Sequence, residues 1–253
     1  MTIKTPIGIF DSGIGGLNTL ARLASWLPDQ VPIIYFSDTK NAPYGNKSPQ
    51  EITSLVSAVT SSLVENYCST IIIACHTASS IALPHISTMY PDIKFIDINA
   101  PTLSYLNTKS MSSKKIGFIG TSATVQSKPF KEIFCSKNIQ AVEAPLLAEA
   151  IERSFMSNKK YHNVLDVLSI YLNKLTGIDT LILGCTHYST LTKEIKGILG
   201  NIEIIDPSKL LLESIANEYN LAEKNSFPEV TFLSSENNTN ILASVYKKIL
   251  KKN

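Results

Sequence analysis

The chain has 253 residues, room for one large domain or for two of about 100–125 residues that each bury a core. A composition 44% hydrophobic and 17% charged excludes a disordered or fibrous chain, and a net charge of +2 excludes a surface built for nucleic acid. Apolar runs of four or five residues fall far short of the roughly 18 that span a bilayer, the N-terminus lacks a signal-peptide core, and four cysteines are too few for a disulfide scaffold, so no membrane and a reducing, cytoplasmic setting are expected.

Short β-branched runs alternate with longer helical periods, the pattern of βαβ units and of a parallel sheet covered on both faces. Residues 7–10 read as a strand, followed by the turn Asp11-Ser12-Gly13-Ile14-Gly15-Gly16. A helix follows in which Leu17, Leu20, Leu23, Ala24 and Leu27 recur at helical spacing until Pro28. A strand over 32–36 precedes the loop Asn41-Ala42-Pro43-Tyr44-Gly45-Asn46, and Ser48-Pro49-Gln50-Glu51 has the capping-box pattern of a helix over 49–67. Strand 70–74 delivers Cys75, and strand 93–98 closes the first unit. After the linker-like stretch 110–114 a second unit repeats the order: strand 115–120, helix near 127–136, strand 139–143, helices near 146–156 and 160–175, and strands 180–184 and 202–206. A helix over 208–222, a strand over 229–234 and a helix over 239–251 are too little for a third domain. They are expected to pack back on the first unit, because an isolated strand must find a sheet. The basic run 246–252 reads as a solvated helical face.

Two pairs of segments point to a duplication. Ile7-Gly8 matches Ile116-Gly117 at an offset of 109, and Cys75 in IIIACHTAS matches Cys185 in LILGCTHYS at an offset of 110. Matching offsets would set the two thiols at the same point of the same fold, one on either side of a bound molecule. In open parallel sheets ligands sit at the carboxyl ends of strands, where Asp11-Ser12, Cys75-His76-Thr77, Thr121-Ser122 and Cys185-Thr186-His187 fall. A cysteine just before a helix meets unpaired N–H groups and the positive dipole end, which favour thiolate over the ordinary pKa of about 8.5, so each sulfur could act as a base. Cys68 and Cys135 lack such company and read as structural. The glycines after Asp11 would let backbone N–H groups approach a small anion while Asp11 supplies a charge for an ammonium group, a combination that fits a zwitterion. Two thiols and two imidazoles at Cys75, His76, Cys185 and His187 are also a set zinc prefers, but their spacing is not that of zinc motifs, and no metal is expected.

Together, DSGIGGL (11–17), SDT (37–39), PYG (43–45), ACHTAS (74–79), IGT (119–121) and GCTHY (184–188) resemble the motifs of the glutamate racemase family over nearly the whole chain. These are isomerases that make D-glutamate for bacterial peptidoglycan. The resemblance implies an α/β fold of two pseudo-symmetric three-layer α/β/α domains with mainly parallel sheets and the active site between them. The first domain would be 1–98 plus 208–253 and the second, inserted in it, 99–207. It implies glutamate as substrate, no cofactor, and a cytoplasmic homodimer. Residue by residue, Cys75 and Cys185 would be acid/base thiols on opposite faces of Cα. Asp11 and His187 would assist them, Glu152 would bring a carboxylate to the site, and Asp38 has a similar standing. Asp11, Ser12, Pro43, Tyr44, Gly45, His76, Thr77, Thr121 and Thr186 would bind substrate. The family usually has Asn where this chain has His76. Imidazole also offers one donor and one acceptor, but it is bulkier and differently shaped. The expectation is altered substrate positioning with lowered activity or a shifted preference among acidic amino acids, the alternative being an amino-acid-binding protein without turnover.

Overall fold

The computed structural model describes residues 5–157 and 162–251. The chain runs through β1 (Ile7–Asp11), α1 (Gly16–Ala24), β2 (Ile33–Ser37), α2 (Pro49–Glu65), β3 (Thr70–Ile73), the short helices α3 (His76–Ile81) and α4 (Leu83–Met89), and β4 (Lys94–Asp97). Helix α5 (Asn99–Leu106) leads to β5 (Ile116–Gly120), α6 (Ser122–Gln126), α7 (Lys128–Lys137), β6 (Gln140–Glu143), α8 (Leu147–Ser157) and α9 (His162–Leu172). Then come β7 (Thr180–Gly184), a 3-10 turn (Thr186–Leu191), α10 (Thr192–Leu199), β8 (Glu203–Ile205), α11 (Pro207–Tyr219), β9 (Val230–Ser234) and α12 (Thr239–Leu250).

Two parallel sheets result, one ordered β4-β3-β1-β2-β9 and the other β6-β5-β7-β8. Read from its other edge the second is β8-β7-β5-β6, which is the first without β9. Hence β1 and β5 hold equivalent central places, and β3 and β7, which deliver Cys75 and Cys185, are equivalent neighbours. The offsets of 109 and 110 have this topological meaning. The first sheet takes its strands from 7–97 and 230–234 and the second from 116–205. We propose domain limits between 98 and 99 and between 207 and 208, close to where the chain passes from one sheet to the other.

Strands β1, β5 and β7 are buried at every residue, which is why they read as unbroken apolar runs rather than alternating ones. On one face of the first sheet Ile9, Ile33 and Tyr35 meet Leu17, Leu20, Leu211 and Leu242; on the other Phe10, Ile71 and Ile73 meet Ile52, Val56 and Leu63. The second sheet is covered likewise, Leu181 and Leu183 packing with Ile151 and Leu168, and Phe118 with Phe130 and Phe134. Each such side chain contributes about 1.5–3 kcal/mol of burial, so a three-layer arrangement is what these strands require. Pro49 opens α2 and Ser48 Oγ accepts the Glu51 N–H at 3.2 Å, as the capping pattern anticipates.

The C-terminal elements return to the first sheet: β9 pairs with β2 from Ile33↔Val230 to Ser37↔Ser234, and α12 packs on α1. Tyr246 is buried there, so the basic run is only in part a solvated face, with Lys247, Lys248 and Lys251 exposed. The helices read over 49–67 and 208–222 stop at Glu65 and Tyr219. Among the described residues no helix is long and apolar enough to cross a membrane.

Candidate active site

The carboxyl ends of β1, β3, β5 and β7 face one another across the two sheets. Cys75 is the N-cap of α3, and Cys185 lies between β7 and the turn Thr186–Leu191. Helix α3 packs against α6, the turn Tyr44–Asn46 also against α6, and α1 against Thr186–Leu191, so elements of both halves close over the strand ends. A cavity of about 10 Å³, room for about one water, is lined there by Ser12, Pro43, Tyr44, Gly45, Cys75, His76, Thr77, Thr121, Thr186, Cys185 and His187, with Ala148 and Gly184. Asp11 and Glu152 do not line it and stand behind its wall. Ala148 lies outside every motif quoted above, and Gly184, the first residue of GCTHY, has no side chain that would have marked it as lining.

On the Cys185 side, Sγ lies 3.7 Å from His187 Nδ1, and His187 Nε2 lies 2.5 Å from Glu152 Oε2. Burial opposes a charge on His187, but the hydrogen bonds to Cys185 and Glu152 and the Glu152 charge outweigh it and carry the pKa well above the usual range. Glu152 also accepts the Ile14 N–H, at 3.1 Å to Oε2 and 3.3 Å to Oε1. The Gly13 N–H donates to Asp11 Oδ2 at 3.1 Å, and Thr186 Oγ1 donates to Asp11 Oδ1 at 3.1 Å. The N–H groups of the glycine turn, expected to meet a small anion, therefore hold the protein's own carboxylates. The glycines serve close approach between the halves. A Cβ at Gly13 would lie 2.5 Å from Glu152 Oε2, and one at Gly15 2.5 Å from Thr186 Oγ1.

On the other side, the Cys75 thiol donates to Ser12 Oγ at 3.4 Å. Burial first, and the Asp11 charge second, push its pKa up to about 12, against the expectation that a helix N-terminus would lower it. Asp11 is itself wholly buried, and burial raises its pKa. Between the halves Thr77 Oγ1 lies 2.8 Å from Thr121 Oγ1, which in turn donates to Thr124 Oγ1 at 3.0 Å. Thr124 escaped the sequence reading, although Thr121 accepts its N–H as the N-cap of α6, a Thr-x-x-Thr signal that could have marked it. Tyr44 is buried, its hydroxyl donating to Asp38 Oδ2 at 2.5 Å, so Asp38 supports the wall from outside the cavity. His76 lines the cavity, yet its Nδ1 lies 2.6 Å from Asn99 Oδ1, a partner no motif announced. Among the described residues no group of three or more His, Cys, Asp or Glu side chains is placed to hold a metal ion.

The arrangement can move protons at two thiols of different character on one small cavity. The family model described as Asp/Glu/hydantoin racemase matches residues 12–215. The chain is 40% identical over 219 residues to the glutamate racemase of Sulfurihydrogenibium sp., covering 84% of this chain and 82% of that one. Its fold matches that of the Campylobacter jejuni glutamate racemase with a TM-score of 0.84 at 26% identity, over 97% and 98% of the two chains. It also matches that of the Francisella tularensis glutamate racemase in complex with D-glutamate, with a TM-score of 0.80 at 32% identity, over 98% and 94%. The chain belongs to the Asp/Glu/hydantoin racemase family and is an isomerase.

Proposed function

We propose that the chain interconverts L- and D-glutamate through Cys75 and Cys185, in the cytoplasm, as a homodimer that supplies D-glutamate for peptidoglycan. The observation that carries the chemistry is that equivalent strands of two like sheets bring one thiol each to a single cavity. Glutamate as substrate is supported by the relatives' names and by the bound D-glutamate in the Francisella tularensis enzyme. In one direction the thiolate of one cysteine takes the α-proton, the C–H electron pair stays on the substrate as a carbanion spread into the α-carboxylate, and the other thiol delivers its proton to the opposite face. The product leaves the two sulfurs with their protonation states exchanged, and the reverse reaction starts from there.

An amino-acid α-proton is far less acidic than a thiol. A positioned base supplies only about 10²–10⁴-fold, so donors aimed at the carboxylate and exclusion of water must do the rest. In this reading the hydroxyls of Thr77 and Thr121, which line the cavity, turn from their bonds to each other and to Thr124 and become such donors when substrate enters. A cavity of about 10 Å³ does not admit an amino acid, so in this reading the halves part for entry and reclose on the substrate.

The test is incubation with L-glutamate in heavy water, following α-deuterium incorporation and D-glutamate formation, beside Cys75→Ser and Cys185→Ser. Wild type is expected to do both and each variant to lose racemisation; a serine variant that racemises at the wild-type rate would reject the two-thiol mechanism. A binding protein without turnover would instead show a glutamate-induced rise in Tm and no isotope exchange. Light scattering tests the assembly.

A further inference from the structure

Asn99 opens α5 and is buried against His76. Its Oδ1 lies 2.6 Å from His76 Nδ1, while its Nδ2 donates to the His76 carbonyl at 3.1 Å and to Ser80 Oγ at 2.9 Å. A carbonyl oxygen only accepts, so the amide nitrogen must face it and the amide oxygen must face the ring. That oxygen has no proton to give. The ring nitrogen opposite it must carry one, and His76, which burial holds neutral with a pKa of about 4, keeps its lone pair on Nε2. Nε2 is buried and has no hydrogen-bond partner; the other such atoms among the described residues belong to Asn238 and Tyr246, which do not line the cavity. Native proteins seldom leave a buried acceptor without a donor.

The two carboxylates of glutamate can only accept, and its ammonium group can only donate. We propose that Asn99 is a positioning residue that sets His76 as a lone-pair acceptor for the ammonium group of the amino-acid substrate. Asparagine at position 76 would carry donor and acceptor together. Histidine tied to Asn99 offers an acceptor alone, which leaves the carboxylates to the hydroxyls of Thr77 and Thr121. The inference rests on the racemase reading of the cavity.

Imidazole nitrogen NMR of the full chain tests it, with glutamate and with glutarate, the same diacid without the amino group. The expected result is a His76 tautomer protonated at Nδ1 in the free protein, with an Nε2 resonance that moves upfield with glutamate and not with glutarate. Asn99→Ala is expected to release the tautomer and raise KM about tenfold at little changed kcat, the effect of losing one hydrogen bond to a charged group. In a His76→Asn background, where the side chain brings its own oxygen, Asn99→Ala should cost much less. A tautomer protonated at Nε2, an unmoved Nε2 in a complex whose His187 resonances do respond to glutamate, or an equal response to glutarate would overturn the inference and leave the racemase reading standing. If neither histidine responds, glutamate does not enter and both readings fall.

Discussion

Two opposing effects meet at Cys75. The N-terminus of α3 favours its thiolate by about 0.3–2 kcal/mol, the ordinary range for a helix end. The rise from 9.0 to about 12 corresponds to about 4 kcal/mol against the thiolate, so burial and the Asp11 charge win. Cys75 therefore rests as a thiol, while Cys185 lies beside an imidazole whose protonated form Glu152 sustains. In Glu152→Gln the Ile14 N–H keeps an acceptor but His187 loses the charge that holds its proton. We expect kcat to fall about tenfold to a hundredfold with KM little changed, because Glu152 does not line the cavity. Steady-state kinetics checks this, and a raised KM at intact kcat would show that Glu152 acts on binding instead. The residues at the strand ends were legible because each motif is contiguous. Their pairings were not: Glu152, named through the family's motifs, meets Ile14 across 138 positions, and Asn99, which no motif announced, meets His76 across 23.

The helices that place these groups are short. Helices α3, α4, α5, α6 and α10 have between five and eight residues, too few turns for an apolar stripe to repeat, so periodicity did not announce them. Long elements such as α2, with its Ser48 cap and Pro49, did show in the sequence. The entry to α1 shows what an element contributes to closure. Gly15 has an ordinary right-handed backbone, φ −57 and ψ −37, so alanine is acceptable there in conformation. Space forbids it: a Cβ would lie 2.5 Å from Thr186 Oγ1, 2.6 Å from His187 Nδ1 and 2.8 Å from the His187 backbone nitrogen. Gly15→Ala is expected to keep the far-UV circular dichroism of the wild type and to lose at least about 90% of racemisation, since a misplacement near 1 Å can cost about a hundredfold. Normal activity in that variant would mean that the halves need not meet as closely as they do here.

At the scale of the molecule, His76 sits beside the first crossing between the sheets, where Ser79 Oγ donates to Asp97 Oδ1 at 2.5 Å and Asn99 begins α5. Its folded pKa of about 4 lies below the unfolded value of about 6.5. The stability tied to this depression is complete above pH about 6.5 and is lost as pH falls toward about 4, by about 3 kcal/mol. Urea unfolding should show wild type losing about that much more than His76→Asn between neutral pH and about 4; parallel curves would reject the assignment. Asp11, whose pKa is raised, gains stability with acid in both proteins and cancels in the comparison. The sequence by itself determined the duplication, the alternation that makes parallel sheets, the cysteines at equivalent strand ends and the return of β9, because each is written in local pattern or contiguous motif. Only the tertiary structure decided that Cys75 is held as a thiol, that the glycine turn grips Glu152 rather than a ligand, and that His76 belongs to Asn99. Desolvation and pairing come from groups remote in sequence, and these meet only when the two halves close on each other.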